Sequence, residues 1–306
     1  MAPKTGSLSD DAVVGDLCAM ILLAGKVRPS TFSAQIGRSI LDLPLDAERT
    51  LLDIWCEQAS ALARAIGTDA LTVRIVVDQG GYSPQIANVR SNDRVVLRVE
   101  RDPTEYRGTA GLLKDLAAGY PDEKWLLVGS ASQLPLEPLY DLTAALSDVT
   151  NGISMVTHAD GALAGMMLVR CRSLSVVPDV GFVDFKEQAL PAIAKEHSIR
   201  VLRRERPTGL PILSLADYIE VLRVHHLSGH EDQPLDDPFA ERWEPAFALI
   251  EDGAQVHATA RLHDSVVLKG GVVQEGAVVV RSVVCPGGVV RRRSHVIEEI
   301  VAVRAG

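Results

Sequence analysis

The chain has 306 residues, 47% hydrophobic and 23% charged, with a formal net charge of −9. That length holds one large domain plus a smaller one, and the acidity argues against nucleic-acid backbone binding as the main task. With 4% aromatic residues there are few rings to stack on bases.

In chain order, residues 1–11 are polar, and Asp10, Asp11 and Asp16 interrupt the nearest apolar stretch, so no secretion signal is expected. No run reaches the ~18 apolar residues of a membrane span. A cytoplasmic chain with no membrane partner follows. Val13–Ala24 closes on the run Ala19–Ala24, a first strand, and Gly25-Lys26-Val27-Arg28-Pro29 continues as a loop. Leu51, Leu52, Trp55, Ala59, Leu62 and Ile66 then fall at helical spacing, stopped by Gly67. Leu71–Val77 is a second strand ended by Asp78-Gln79-Gly80-Gly81, and Val95–Val99 a third.

Gly108-Thr109-Ala110-Gly111 opens a short helix that places Leu112, Leu113 and Leu116 on one face. Trp125–Val128, closed by Gly129, reads as a strand buried on both faces in mid-sheet. Ligands gather where such strands end, which puts Ser130 at the expected site. Pro138–Ser147 is a helix. Ile153–Thr157 and Ala164–Arg170 flank an Asp160-Gly161 turn and predict an antiparallel hairpin. Asp184–Glu196 has helical spacing despite Pro191, and Ile199–Leu202 is a strand. Ser214 and Asp217 form a capping-box pattern ahead of Tyr218, Ile219 and Leu222. Strands alternating with helices predict a Rossmann-like, mixed and mostly parallel α/β sheet over residues 1–226.

Residues 227–247, rich in Asp, Glu and Pro, read as a linker. From Val256 a period of six places Ala260, Val266, Val272, Val278, Val284, Val290 and Val296 in one column. That is the mark of a short left-handed hexapeptide β-helix over 248–306, small enough to need packing against a homo- or hetero-oligomeric partner. The four cysteines, Cys18, Cys56, Cys171 and Cys285, have no metal-ligand spacing and read as buried reduced thiols. His225, His226 and His230 suit a helix C-terminus at a domain boundary better than a metal, and Arg291–Arg293 reads as a solvated rim or subunit contact.

Three segments carry a resemblance: Gly108–Gly111, Gly181–Pro191 and Ile212–Tyr218, in that order and followed by the hexads. Together the chain resembles the sugar-1-phosphate nucleotidyltransferases, among them mannose-1-phosphate guanylyltransferases and ADP-glucose pyrophosphorylases. The resemblance implies a reaction of a nucleoside triphosphate with a sugar 1-phosphate, giving a nucleotide sugar and pyrophosphate with Mg²⁺. It implies nucleotide binding by Gly25, Arg28, Gly108, Thr109, Ala110, Gly111 and Ser130. Asp184, Lys186 and Glu187 would meet the sugar phosphate, and Arg28 and Arg38 would hold the positions of catalytic cations.

The family's two metal-binding aspartates fall here on Ser130 and Pro211, and its glycine-rich first loop is reduced to Gly25. Losing a metal's charge stabilisation costs several kcal/mol, roughly a thousandfold or more in rate. No metal site is therefore assigned, and weak or absent turnover by the usual route is expected. If the chain is active, Asp42, Asp78 or Asp184 would have to supply the acids. The alternatives are a non-catalytic nucleotide-sugar-binding subunit or sensor, and an assembly protein.

Overall fold

The main sheet is built from β1 (Leu17–Leu23), β2 (Leu71–Val77), β3 (Val95–Arg101), β4 (Trp125–Ser130), β6 (Gly152–Thr157), β7 (Leu163–Arg170) and β8 (Ser198–Arg203). Two short strands, β5 (Gln133–Pro135) and β9 (Gly209–Pro211), lie outside it. The coordinates are a computed structural model and describe residues 15–25, 31–89, 94–102, 107–147, 152–227 and 246–303. The N-terminal stretch 1–11, Lys26, Arg28 and all but the two ends of the expected linker 227–247 lie outside the described residues.

The strand order is β3-β2-β1-β4-β7-β6-β8. The neighbours β3, β2, β1 and β4 run parallel, β7 runs antiparallel to both β4 and β6, and β8 is parallel to β6. The expected hairpin and the mostly parallel sheet are both present. β4 lies in the middle, and Trp125–Gly129 are all buried because each face is covered. On one face Ala19, Ile21, Leu126, Val128, Ile153 and Val169 pack with Ala110, Leu113 and Leu116. Those last three belong to α3 (Gly108–Ala117). In α2 (Leu51–Ala65) the helically spaced Trp55, Ala59 and Leu62 are at most 1% exposed.

The chain divides into two compact units. One takes the residues up to Pro29, Asp53–Gly81 and Gln85–Gly209; the other takes Ser30–Leu52, Tyr82–Pro84 and Leu210 onward. The first unit holds the sheet, together with α3, α4 (Leu139–Leu146) and α5 (Leu190–Ile193). A single π-helical turn, Phe185–Ala189, leads into α5 and absorbs Pro191 in the first turn of that helix.

In the second unit, α1 (Thr31–Ile36) packs near α6 (Leu215–Leu227). The Phe32 ring lies 6.1 Å from that of Tyr218, and the buried Tyr218 hydroxyl donates to the Pro44 carbonyl at 2.6 Å. The capping box forms: Asp217 N–H donates to Ser214 Oγ at 3.2 Å, and the Asp217 carboxylate accepts from Leu213 N–H at 3.0 Å.

Asp46 gathers three donors in this unit and faces a histidine ring nitrogen. It accepts the backbone N–H groups of Glu48 and Arg49 at 2.9 and 2.7 Å and the Arg49 guanidinium at 2.8 Å. His225 Nε2 lies 3.2 Å away. Burial pushes the Asp46 carboxyl up, but these hydrogen bonds outweigh it and bring it down to about 2 from 3.8. The native state thus favours the ionised form. The stabilisation is complete above pH ~4 and is lost as pH falls through about 2. Asp46→Asn is expected to cost about 2 kcal/mol at pH 7. Urea unfolding at stepped pH checks this, since the gap from the parent chain should narrow steadily below pH 4.

The C-terminal strands are β10 (Ala248–Ile250), β11 (Gln255–Val256), β12 (Arg261–His263), β13 (Ser265–Val267), β14 (Val272–Val273), β15 (Val278–Val280), β16 (Val283–Val284), β17 (Val289–Val290), β18 (His295–Ile297) and β19 (Ile300–Val301). They form three parallel sheets, ordered β10-β13-β16-β19, β11-β14-β17 and β12-β15-β18. This arrangement is consistent with a β-helix. Each residue pairs with one 17 positions further on: Ala248 with Ser265, Val266 with Val283, Val283 with Ile300, Val272 with Val289.

The repeat is therefore 17 residues, where strict hexads require 18. The core is formed by Val256, Leu262, Val267, Val273, Val279, Val284, Val290, Val296 and Val301, spaced six, five, six in turn. Of the expected column, Ala260, Val284, Val290 and Val296 belong to this core, and Val266, Val272 and Val278 do not. The five-residue step turns through Asp264, Arg281 and Glu298, whose φ values are 47°, 44° and 55°. Each of these three left-handed residues sits 17 after the last.

Candidate functional site

The parallel strands β1, β2 and β3 end together at one rim of the sheet. A small open cleft lies there, lined by Leu23, Gly25, Val76, Val77, Asp78, Asp102, Gly108, Thr109 and Leu112. Three strand ends and the first turn of a helix thus converge, the usual position of a ligand crevice in an open α/β sheet.

The Asp78 carboxylate is clasped between two glycines. A Cβ added at Gly25 would lie 2.8 Å from Asp78 Cγ, and one at Gly81 would lie 1.9 Å from Asp78 Oδ1. Both positions must be glycine for that carboxylate to keep its place. Arg101 fixes the loop from below, donating to the carbonyls of Gln79 at 2.8 Å and of Asp78 and Gly81 at 3.3 Å. Asp102, just past β3, is tied to β2 through Asp102 N–H to the Val77 carbonyl at 2.8 Å.

Gly108 begins α3 at φ +66°. A Cβ there would stand 2.5 Å from the Val183 carbonyl oxygen. The preceding Arg107 provides no side-chain cap. Its guanidinium instead binds Asp115 at 2.8 and 3.1 Å and the Pro178 carbonyl at 3.0 Å. The Asp115 hydrogen bonds raise the Arg107 pKa above the ordinary arginine value. Lys114 adds an ion pair to Asp179 at 2.7 Å. The segment Pro178–Val183 is thereby strapped to α3.

Of the residues expected to bind nucleotide, Gly25, Gly108 and Thr109 come together in this cleft. Ala110 is fully buried in the core, and Gly111 is covered by the Arg107 side chain, 3.1 Å from where a Cβ would sit. Arg28 lies outside the described residues. Arg38 is in the second unit, where it grips Glu251 with two hydrogen bonds of 2.7 and 3.1 Å. Asp184 accepts Glu187 N–H at 2.8 Å and so caps the π turn, while Lys186 and Glu187 are exposed. Asp42 is half-buried in a short 3₁₀ turn of the second unit. Asp102 was not singled out in the sequence, although its place directly after β3 is the same signal that marked Asp78.

Ser130 does not line the cleft. It pairs with Leu23 at the end of β4, and the next residue is held twice: Ala131 N–H donates to the Leu23 carbonyl at 3.0 Å, and Trp55 Nε1 donates to the Ala131 carbonyl at 3.3 Å. The opposite side is filled by β7. A Cβ at Gly165 would meet Ser130 Cβ at 3.2 Å and Gln133 Oε1 at 2.9 Å, and Gln133 is buried. A lone neutral hydroxyl does not fit Mg²⁺, which is bound through carboxylates. Pro211 offers no side-chain donor. Among the described residues, no group of three or more His, Cys, Asp or Glu is placed to hold a metal ion.

No family model matches the chain, and no curated protein matches it. Two solved structures share part of its course. One is the crystal structure of the Mycobacterium tuberculosis Rv0371c homolog from Mycobacterium sp. strain JC1, at 18% identity and a TM-score of 0.46, covering 72% of this chain and 100% of that one. The other is Rv0371c from Mycobacterium tuberculosis H37Rv, at 17% identity and 0.45, covering 67% and 97%. Similarity at that level has no bearing on the site. No helix among the described residues is long and apolar enough to cross a membrane.

Proposed function

We propose that the first unit binds a nucleotide or nucleotide sugar in the Gly25–Asp78–Asp102–Gly108–Thr109 cleft and turns it over weakly or not at all. The observation that carries this reading is the Asp78 carboxylate, held in the cleft by glycines on either side. Two carboxylates repel phosphate, but they accept hydrogen bonds from ribose hydroxyls and exocyclic amines. The nucleoside end of the ligand would therefore lie against Asp78 and Asp102. Its phosphates would extend away from the carboxylates, towards Gly108 and Thr109 at the start of α3.

A neutral Ser130 and a Pro211 at the two positions where the resemblance expects aspartates support the loss of the Mg²⁺-dependent transfer of a nucleotidyl group to a sugar 1-phosphate. A regulatory subunit or sensor that reads nucleotide sugars then fits better than a pyrophosphorylase. In the same reading the C-terminal strands form a left-handed β-helix that joins subunits, and the protein is cytoplasmic.

A thermal-shift panel of nucleotides and nucleotide sugars tests the pocket. A ligand at ~100 times its dissociation constant stabilises by ~2.7 kcal/mol, a shift of several degrees. Asp78→Asn, which keeps the shape but gives up the charge, is expected to weaken that ligand about tenfold. A flat response to every compound removes the reading. Pyrophosphate release well above blank with any triphosphate and sugar 1-phosphate removes its non-catalytic half.

A further inference from the structure

Cys18 and Cys171 meet at the end of the sheet opposite the cleft. The register of β1 on β4 slips between Leu17 and Ala19, so Cys18 is the extra residue of a bulge, and bulges re-aim a side chain. Its Sγ lies 3.2 Å from the Trp125 carbonyl. On the other side of β4, Cys171 follows directly after β7, and its N–H donates to the Lys124 carbonyl at 2.9 Å. The two cysteines thus flank the first residues of β4, one from each neighbouring strand. Both belong to the same apolar face, and each thiol is the other's side-chain hydrogen-bond partner. Cys171 is 5% exposed and Cys18 is half-buried, so the pair can be reached from Cys18's side.

We propose that Cys18 and Cys171 form a two-thiolate site for a soft monovalent cation of the Cu(I) or Ag(I) kind. The topology separates this from a disulfide. Strands lie about 4.8 Å apart, so α-carbons two strands apart are about 9.6 Å apart. A disulfide needs about 4.4–6.8 Å. Closing one here would pull β1 or β7 off β4. A cation bridging two sulfurs needs no such shift.

With no cluster of three ligands among the described residues, a tetrahedral zinc site is not formed. Soft ions satisfied by two thiolates are the class that remains. Binding releases the two thiol protons to solvent and leaves one net negative charge. The shared hydrogen bond already lowers the Cys171 pKa while raising that of Cys18. That hydrogen bond and burial hold Cys18 as the thiol, and the nearby Lys124 charge offsets only a small part of this, so it is the bound cation that must displace the Cys18 proton.

Silver ion titrated into the full chain in chloride-free buffer tests the site. One equivalent is expected to bind, shielding both Cys18 and Cys171 from maleimide in a peptide map. Cys18→Ser and Cys171→Ser are each expected to lose about a hundredfold in affinity, while Cys56→Ser and Cys285→Ser are unchanged. Cys18→Ala, with an unchanged thermal midpoint, should repeat the loss and exclude a folding defect. Undiminished affinity in the Cys18 variants overturns the proposal. So does ready formation of a Cys18–Cys171 disulfide by diamide in the folded chain.

Discussion

Gly108→Val is expected to destabilise the first unit by more than about 3 kcal/mol and to abolish ligand binding in the cleft. Two costs combine. A β-branched residue at φ +66° is strained by roughly 1–3 kcal/mol. Its Cβ would also stand 2.5 Å from the Val183 oxygen, which is backbone and cannot swing aside. Val183 is pinned in turn: its N–H donates to the Arg107 carbonyl at 2.9 Å, and its own carbonyl accepts Ala110 N–H at 3.2 Å. Either the first turn of α3 moves or the strap tears. Gly119→Ala, where the nearest atom is 3.8 Å from the new carbon, is the control and should fall within about 0.5 kcal/mol of the parent. Urea unfolding followed by circular dichroism measures both.

Gly288→Val is expected to act as strongly on the C-terminal strands. Gly288 has no left-handed backbone, so the effect is purely steric. An added Cβ would lie 2.2 Å from the Val301 carbonyl oxygen and 3.0 Å from that of Cys285. The Cys285–Val301 pairing sits in the stack itself, Cys285 N–H donating to the Val301 carbonyl at 2.8 Å, so relief requires opening the sheet. A loss of more than about 3 kcal/mol follows. The same substitution at Gly271, one repeat earlier, meets Val284 oxygen at 2.9 Å and should cost less. Equal costs at the two positions would argue against the closer approach of the Val301 carbonyl to Gly288. Thermal unfolding of the two variants side by side gives the order.

These glycines also show what the sequence discloses. The apolar run Trp125–Val128 announced a mid-sheet strand because burial on both faces leaves no polar alternation. Asp160-Gly161 announced the hairpin, and Ser214 with Asp217 the helix start, because each is a local rule with its own chemistry. The C-terminal period was misread by one residue in 17. Valines stand side by side at 266–267, 272–273, 278–280, 283–284 and 289–290, so a comb of six finds a valine whether or not that valine faces inward. The better clue was the small residues Gly271, Ala277, Ser282, Gly288 and Ser294, whose spacing of six, five, six already carries the short side.

The site was legible in part through the resemblance and illegible where partners are distant. Gly25, Gly108 and Thr109 were named through the resemblance, and they share the cleft. Arg38 stood for a catalytic cation only through the resemblance; its carboxylate partner, Glu251, lies 213 residues away. The crowding around Ser130 depends on Trp55, Gln133 and Gly165, from three separate segments, and no local pattern brings them together.

The short corner at Asp264, Arg281 and Glu298 has one more consequence. Like sides lie over like sides all the way along the stack, so gaining or losing a single residue would set a five-step side on a six-step one and throw every later pairing out of line. Evolution can lengthen or trim such a tail only in whole turns, much as a thread is cut by the pitch; its size is quantised.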